Sequence, residues 1–428
     1  MRPGRARGAG ALLLGVLPAV CASAQVPLPP REAHALLERH LLENIVPFWY
    51  PGAVDRENGG YRLNHDAQGR WRGEADKALV TQARTLWFFS RLHRSPYGQP
   101  EHLEAARHGF RFLKDRMWDA EHGGFFWSVS SDGGEAVESY KAQYGQGFGL
   151  YALAEYARAS GDREAGALAA ELFRLLESRA HDPVHGGYLE VLARDWSPPD
   201  GDLPGFARGR AGIKTMNTHL HLMEPFTVYY ELTGHELVRQ RLHELLLIQS
   251  SAVVRKRLGA CTDRHQLDWT PLTGPEDDRV SYGHDVENVW LLIEAAGALE
   301  VPARPLEDLL VALFEYSMEH GWDEDEGGFY DSGPFGEPAD RKAKVWWVQA
   351  EGMTSALFMF RLTGERRYYD VFARTLGWIT RRQADWEHGD WHDVVGERPP
   401  AHKSGPWKSP YHNGRAVLEC LEILSALR

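Results

Sequence analysis

Apolar side chains recur at spacings of three and four residues in twelve segments, which are separated by short stretches rich in glycine and polar residues. This spacing places the apolar side chains on one face of an α-helix. The pattern therefore predicts twelve helices, at residues 31–48, 77–95, 101–116, 142–159, 163–179, 216–233, 236–256, 283–299, 305–319, 345–363, 367–382 and 412–427.

A short phrase, two small residues followed by an aromatic one, recurs between predicted helices. Its copies end at Tyr61, Phe125, Tyr188, Phe329 and, more weakly, Trp391, and they lie roughly 60 to 70 residues apart. One gap is about twice as long and has room for a degenerate sixth copy near residues 259–268. Repetition at a fixed period indicates repeated structural units. We therefore expect six units, each a pair of helices joined by a short hairpin or loop.

The length of the chain bears on its domain organisation. About 400 residues is more than one compact core usually holds, which favours two domains. No linker rich in Pro, Gly or Ser divides the chain, however, and the repeat continues across the middle. We therefore expect residues 25–428 to form one domain of the all-α class, a closed ring of helical pairs. The longest irregular stretch, residues 195–214, is a candidate lid.

Residues 1–24 have the pattern of a secretory signal peptide. Three arginines lie within the first seven residues, and an apolar run at residues 9–20 precedes small residues at 22–24. The apolar run is too short to span a bilayer. We therefore expect a periplasmic or secreted protein without membrane attachment. After signal removal two cysteines remain, Cys261 and Cys420, and the sequence does not decide whether they pair.

Composition and missing motifs narrow the function. The chain is 43% hydrophobic and 25% charged, as a folded globular protein is. Its net charge of −12 argues against a nucleic-acid partner, which would need a clustered basic face. The sequence has no Gly-rich phosphate loop, G-x-S-x-G motif or paired-cysteine metal motif. Chemistry must therefore come from histidine, carboxylate, arginine and aromatic side chains.

Unusual polar and aromatic residues concentrate near the start of every second predicted helix. They are Arg84, Tyr144, Asn217, His221, His284, Glu287, Trp347, Glu351, Trp407 and His412. If these helices form the inner ring, their side chains converge at one mouth of a barrel. That convergence is the pattern of a binding site.

His284 and Glu287 lie three residues apart, on one helical face and within hydrogen-bonding reach. A carboxylate there would fix the tautomer of the imidazole and stabilise its charged form. A buried histidine satisfied by a glutamate would give the same pattern, but a second motif favours catalysis. In residues 403–413, Trp407 offers a flat face to a sugar and His412 lies where an acid/base would be useful. The alternative for that segment is a helix-start turn with a packing tryptophan.

Asn217 and His221 share a helical face, whereas His219 and His221 point to different faces and cannot easily hold one ion. We therefore predict no metal, and we expect Asn217 and His221 to hydrogen-bond a polyol substrate. Trp347, with Glu351 nearby, predicts an aromatic platform beside hydrogen-bonding groups, so both are candidate substrate-binding residues.

Arg84 and the two histidines complete a set suited to proton transfer. Arg84 lies among apolar residues, so it should pair with an acid or meet a substrate oxygen. Two histidines that face one pocket can act as a base on one side of a carbon and an acid on the other. The set suits reversible proton transfer.

Four segments resemble the cellobiose 2-epimerases, within the wider group of N-acylglucosamine 2-epimerases. They are Asn-Thr-His-Leu-His at 217–221, Gly-His-Asp-x-Glu at 283–287, Trp-Trp-x-Gln-Ala-Glu at 346–351 and Gly-Pro-Trp-Lys-x-Pro-Tyr-His-Asn at 405–413. The resemblance covers nearly the whole chain after the signal. It implies an (α/α)6 barrel that epimerises the reducing-end glucose of a β-1,4-linked disaccharide at C2 without a cofactor. We expect a monomer.

The resemblance also implies roles for single residues. His284 and His412 would exchange the C2 proton through a ring-opened cis-enediolate, with Glu287 orienting His284. The remaining residues would contact the sugar: Arg84, Asn217 and His221 at the C1 and C2 oxygens, and Tyr144, Trp347 and Trp407 at the rings.

Other activities stay open. Mannobiose or lactose could be the substrate in place of cellobiose, and reprotonation at C1 would give a ketose, as in an aldose–ketose isomerase. An inverting glycoside hydrolase could use the same barrel, but it needs two carboxylates about 6.5–9.5 Å apart. A secreted glycan-binding protein would need the tryptophans but not both histidines.

Overall fold

The computed structural model describes Met1, residues 28–201 and residues 203–427. The predicted signal peptide, apart from Met1, therefore lies outside the described residues. The helices of the described part are α1 (Pro30–Arg39), α2 (Val46–Trp49), α3 (Leu79–Arg94), α4 (Pro100–Phe112), α5 (Gln143–Ser160), α6 (Arg163–Leu175), α7 (Met216–Thr233), α8 (Glu236–Leu247), α9 (Tyr282–Ala298), α10 (Glu307–Gly321), α11 (Trp346–Thr363), α12 (Arg366–Trp378) and α13 (Tyr411–Ala426).

Six of these helices form a closed inner ring. Helices α3, α5, α7, α9, α11 and α13 pack side by side in that order, and α13 returns to α3. Outside the ring, α4, α6, α8, α10 and α12 each pack against the inner helix that precedes them, and α1 packs against α13. This arrangement is an (α/α)6 barrel, so the predicted all-α class and architecture are confirmed.

Burial explains which helices lie inside. Every residue of α5 from Gln143 to Ala157 is buried, whereas α6 buries one stripe that includes Ala165, Leu172 and Phe173. A helix that is apolar on all sides belongs in an interior, and a helix with one apolar stripe belongs at its surface. The alternation of these two kinds of helix along the chain therefore produces two concentric rings.

Several outer helices are shorter than the sequence predicts because they continue into a wider, π-type turn. These turns are His40–Ile45, Leu113–Met117, Leu176–Ala180, Ile248–Ala252 and Ile379–Gln383. The predicted segments at 31–48 and 101–116, for example, each contain one. Apolar spacing alone does not distinguish such a turn from the last turn of an α-helix.

Short strands occupy the connections and form six small antiparallel sheets, β1–β2–β3, β4–β5, β6–β9, β7–β8, β10–β11 and β12–β13. The strands are β1 (Lys77–Ala78), β2 (Ser128–Val129), β3 (Ala136–Glu138), β4 (Lys141–Ala142), β5 (Val191–Leu192), β6 (Lys214–Thr215), β7 (Val254–Arg255), β8 (Ala260–Cys261), β9 (Arg264–His265), β10 (Arg279–Ser281), β11 (Ser332–Pro334), β12 (Lys344–Val345) and β13 (Val394–Val395). Five of them lead directly into inner helices, so the sheets gather at the mouth where the inner helices begin.

The repeated Gly-Gly-aromatic phrase is a tight turn held by the following inner helix. The Gln82 side chain accepts a hydrogen bond from the Tyr61 N–H at 2.8 Å and donates one to the Tyr61 carbonyl at 2.8 Å. Gly60 has a φ of 65°, and a Cβ there would lie 2.5 Å from Gln82 Oε1. Only glycine fits that position without displacing the clamp.

The same construction recurs around the barrel. Gln146 and Gln349 hold Phe125 and Phe329 as Gln82 holds Tyr61, and His219 accepts from the Tyr188 N–H. A buried lysine forms an ion pair with an aspartate beside each of these turns: Lys77–Asp55, Lys141–Asp119, Lys214–Asp182, Lys344–Asp323 and Lys403–Asp385. The repeat visible in the sequence therefore fixes where inner helices start.

The structure also answers the question about the cysteines. Cys261 and Cys420 are both buried free thiols, and neither pairs with a cysteine that the structure describes. Among the described residues, every helix is too short or too polar to cross a membrane.

Candidate active site

All ten predicted site residues lie at or near the mouth where the inner helices begin. Each of the six inner helices supplies at least one predicted residue from its first two turns, and Trp407 lies just before α13. The contacts between them are direct. The ring of Trp347 on α11 packs against His284 on α9 at 4.7 Å and against His412 on α13 at 5.8 Å between centroids. The two predicted acid/base residues therefore share one indole.

Glu351 fixes the orientation of His412. The Nδ1 atom of His412 lies 2.6 Å from Glu351 Oε1, so Nδ1 carries a proton and Nε2 is left with its lone pair. Burial, and then the charges of Arg84 and Arg415, hold the pKa of His412 well below its usual value. The neutral imidazole can therefore accept a proton.

The placement of Glu351 differs from the sequence-based expectation that it binds substrate. Its carboxylate is fully buried and also accepts from Trp290 Nε1 at 2.9 Å and from Arg415 Nη2 at 2.8 Å. It lies behind His412 instead of facing the pocket. We interpret Glu351 as a residue that positions His412.

Glu287 also has a different partner from the one expected. Its Oε1 accepts from Arg415 Nη2 at 2.7 Å, and the hydrogen bonds of the described residues do not include one from His284. His284 is half-buried and packs against Trp347, and burial lowers its pKa. Glu287 lies close enough to influence His284, because ligand atoms of His221, His284 and Glu287 all lie within 4.8 Å of one another.

Arg415 is the centre of the buried charge network, and the sequence analysis missed it. Its guanidinium bonds to Glu224, Glu287 and Glu351 and to the Tyr411 hydroxyl. The signal was present, because Arg415 is a lone cation in an apolar helix, as Arg84 is. Its three carboxylate partners, however, lie on three other inner helices and come together only when the ring is closed.

The three carboxylates respond differently to this network. Burial opposes ionisation of all of them, but the nearby charge of Arg415 lowers the pKa of Glu224 to about 2. Burial and repulsion from Glu351 raise the pKa of Glu287 well above its usual value, and burial raises that of Glu351. The single guanidinium of Arg415 thus neutralises the three carboxylates only in part.

Arg84 is available to a ligand. Its Nη2 donates to the Tyr144 hydroxyl at 2.9 Å, and its guanidinium lies over the Phe148 ring at 4.1 Å and over Tyr411 at 4.7 Å. No carboxylate forms an ion pair with it in the described part of the chain. A buried cation held by rings and a hydroxyl is suited to an oxygen that carries developing charge.

Asn217 and His221 lie four residues apart on α7, so their side chains project from the same helical face. The buried Oδ1 of Asn217 has no hydrogen-bond partner among the described residues. His221 packs edge-on to Tyr144, and its Nδ1 lies 3.2 Å from Glu224 Oε2. His219 instead bonds the backbone through both nitrogens, at Tyr188 and Thr215, which takes it away from the pocket.

An aromatic cleft lies at the entrance. The indole of Trp407 is 42% exposed and lies 6.1 Å from the Tyr144 ring and 5.6 Å from Phe206. Phe206 belongs to the candidate lid, residues 195–214, and stacks on Trp127 at 4.6 Å. Arg210 anchors the same segment through a 2.6 Å bond to buried Glu190. Phe206 could not be identified from the sequence, because its segment has no periodic pattern.

Comparisons with known proteins find relatives along nearly the whole chain. The family model of N-acylglucosamine 2-epimerase (GlcNAc 2-epimerase) matches residues 59–416. The chain is 33% identical over 390 residues to a cellobiose 2-epimerase of Bacteroides fragilis, covering 90% of this chain and 97% of that one. It is 31% identical over 401 residues to a cellobiose 2-epimerase of Ruminococcus albus, with 91% and 97% covered. The solved cellobiose 2-epimerase from Spirochaeta thermophila superposes with a TM-score of 0.84 at 36% identity, covering 93% and 98%.

Proposed function

The chain belongs to the N-acylglucosamine 2-epimerase family, and on that premise we propose that it is a cellobiose 2-epimerase. It interconverts glucose and mannose at the reducing end of a β-1,4-linked disaccharide by moving the proton at C2. The observation that carries the proposal is the pair of imidazoles, His284 and His412, packed against one indole, Trp347, at the mouth of the barrel.

The two imidazoles exchange the C2 proton of the ring-opened sugar. One accepts the proton from one face of C2, which leaves a cis-enediolate, and the other, as its imidazolium, returns a proton to the opposite face. The reverse reaction uses the same pair with the roles exchanged. Positioned proton transfer typically contributes about 10²–10⁴-fold to the rate. Glu351 supports the charged form of His412 when that imidazole accepts the proton.

The enediolate carries negative charge on the oxygens of C1 and C2, which Arg84 can stabilise, while Asn217 and His221 can accept hydrogen bonds from the sugar hydroxyls. Arg84 supplies a cation held by rings instead of by a carboxylate, and the orphan Oδ1 of Asn217 can accept from a sugar hydroxyl. His221 has its Nδ1 occupied by Glu224, so its Nε2 faces the remaining groups of the pocket. Donors fixed in a buried site stabilise developing charge without reorganising.

The second sugar ring binds at the aromatic cleft. Trp407 and Tyr144 offer flat faces, and Phe206 supplies a third ring from the candidate lid. Apolar faces of sugars pack against such rings. A disaccharide that keeps its reducing end at the histidines would therefore place its other ring against Trp407.

Product analysis tests the proposal. Cellobiose incubated with the enzyme should give the disaccharide with mannose at its reducing end, resolved by anion-exchange chromatography, while a ketose product would indicate aldose–ketose isomerisation. His284→Asn and His412→Asn should each abolish turnover, whereas His388→Asn, at a partly exposed histidine remote from the pocket, should leave it unchanged. Release of free glucose would instead indicate a hydrolase.

We also propose that the protein acts in the periplasm or outside the cell. The support is the sequence pattern of residues 1–24, with arginines, an apolar run and small residues in the order that a signal peptidase reads. N-terminal sequencing of protein from the periplasmic fraction should find a chain that starts after residue 24. A full-length chain confined to the cytoplasmic fraction would contradict this location.

A further inference from the structure

A second cluster of potential ligands shares the pocket with the acid/base pair. His221 on α7 and His284 and Glu287 on α9 each present one ligand atom, and these atoms all lie within 4.8 Å of one another. The Nε2 atom of His221 lies 3.9 Å from Glu287 Oε2. Two imidazole nitrogens and one carboxylate oxygen are a donor set that suits zinc and its neighbours in the first transition row.

Two of these ligands are already oriented by groups behind them. Glu224 Oε2 lies 3.2 Å from His221 Nδ1, so the Nδ1–H donates to the carboxylate and the Nε2 lone pair is left for the cluster. Metal-binding histidines commonly have such a carboxylate at the other nitrogen. Arg415 holds Oε1 of Glu287 at 2.7 Å, while Oε2 is buried and has no hydrogen-bond partner in the part of the chain that the structure describes.

The cluster also has an entry path and an open fourth position. His284 is half-buried and faces the mouth beside Trp347, which is also half-buried. Zinc sites with three protein ligands and one open position are typical of accessible centres. Ligand atoms around tetrahedral zinc lie about 3.4 Å apart, given bonds of about 2.0–2.1 Å. Small rotations of the two imidazoles would bring the present spacing to that value.

A neighbouring set, Glu287, Glu351 and His412, is also compact but less suited to an ion. Oε1 of Glu351 already accepts hydrogen bonds from His412 and Arg415 at 2.6 and 2.8 Å. An ion there would have to displace a buried guanidinium. In the first cluster, by contrast, Glu287 Oε2 and the His221 Nε2 lone pair are free of hydrogen bonds among the described residues.

We propose that the pocket binds one Zn²⁺ ion through His221, His284 and Glu287, and that this ion competes with the sugar. The ion is an inhibitor in this account, because it would bind the imidazole of His284, one of the two acid/base residues, inside the sugar pocket. Competition with the sugar rests on the proposed function, whereas binding of the ion rests only on the geometry. A cation would also balance the excess of buried carboxylates over the one guanidinium of Arg415.

Titration calorimetry with Zn²⁺ alone, on protein stripped with EDTA and dialysed, tests the site without using activity. We expect one ion per chain and no heat with Mg²⁺, which prefers oxygen ligands. His221→Asn should weaken zinc binding by at least about tenfold, since loss of even an orienting group typically costs about 10–100-fold. His412→Asn should leave zinc binding unchanged, and so should His388→Asn, which removes a partly exposed histidine outside the pocket.

Circular dichroism and thermal melting would establish that each variant is folded before titration. Zinc binding that survives His221→Asn, or that His412→Asn removes to the same extent, would overturn the assignment, as would a parent protein that binds no zinc. In the activity assay, Zn²⁺ should raise the KM for cellobiose and leave kcat unchanged, with recovery on adding EDTA. Zinc that binds without raising KM would overturn the competition. If the metal-free enzyme does not epimerise cellobiose, the proposed function fails while the titration still decides the metal site.

Discussion

Replacing Glu351 with glutamine would separate two interpretations of one buried carboxylate. The structure places Glu351 Oε1 2.6 Å from His412 Nδ1, behind the imidazole, whereas the sequence placed Glu351 in contact with the sugar. Glutamine keeps the shape of the side chain and removes its charge. If Glu351 positions His412 and supports its imidazolium, Glu351→Gln should lower kcat and leave the KM for cellobiose unchanged.

The size of that effect follows from the hydrogen bond. A hydrogen bond to a charged group contributes about 1.5–3 kcal/mol and one between neutral groups about 0.5–1.5 kcal/mol. The variant therefore loses about 1–2 kcal/mol when His412 is protonated, which corresponds to a fall in kcat of about 5–30-fold. Initial rates over a range of cellobiose concentrations, with product measured by chromatography, give both constants.

A matched control lies at the opposite mouth of the barrel. Glu155 on α5 is also buried and accepts from Arg94 at 2.5 Å. Glu155→Gln should lower the melting temperature and leave kcat unchanged. A Glu351→Gln variant with kcat within twofold of the parent would refute the positioning role, and a rise in KM alone would restore the sequence-based interpretation of Glu351 as a sugar ligand.

Three further predictions concern the repeat and the candidate lid. Gly60→Ala should destabilise the protein by about 1–3 kcal/mol in urea unfolding, because its φ is 65° and its Cβ would meet Gln82, whereas Gly166→Ala, in open space on a helix, should stabilise it by about 0.5–1 kcal/mol. Lys344→Met should cost about 1–3 kcal/mol, measured in the same way, because it removes the buried cation that pairs with the partly buried Asp323 carboxylate at 2.7 Å. Phe206→Ala should raise the KM for cellobiose about 2–10-fold, as expected for loss of one aromatic contact; an unchanged KM would remove this ring from the sugar site.

The architecture was largely predictable from sequence because it depends on local and repeated signals. Inner helices such as α5 are buried on every side, and the Gly-Gly-aromatic phrase, with its weaker copy at Trp391, marks five of the six units. The wide turns at the ends of outer helices, such as Leu113–Met117, could not be predicted, since their apolar residues keep helical spacing. The cause of the repeat, the clamp by Gln82 and its equivalents, joins residues about 20 positions apart and appears only in the folded chain.

The sequence predicted which residues come together at one mouth of the barrel, but not which contacts they make there. Unusual residues at helix starts identified His284, His412 and Trp347, whose mutual contacts the structure supplies. The partners of the carboxylates were not predictable. The hydrogen bonds of Glu351 to His412 and Arg415, for example, join two different helices, α11 and α13. Spacing within one helix predicted a hydrogen bond between His284 and Glu287. In the closed ring, Glu287 accepts a hydrogen bond from Arg415 instead. Side-chain pairing across a barrel depends on the order and rotation of helices, which periodicity does not specify.

The central claim is that this protein moves the C2 proton of a disaccharide between two faces by exchange through His284 and His412. Proton NMR of cellobiose incubated with the enzyme in D2O tests it most directly, because protons on imidazoles exchange with solvent between turnovers. The account predicts that the manno epimer forms with deuterium at C2, and that deuterium also enters C2 of the remaining cellobiose. A manno epimer that keeps protium at C2, or no change at C2 under conditions where the protein is folded, would contradict it.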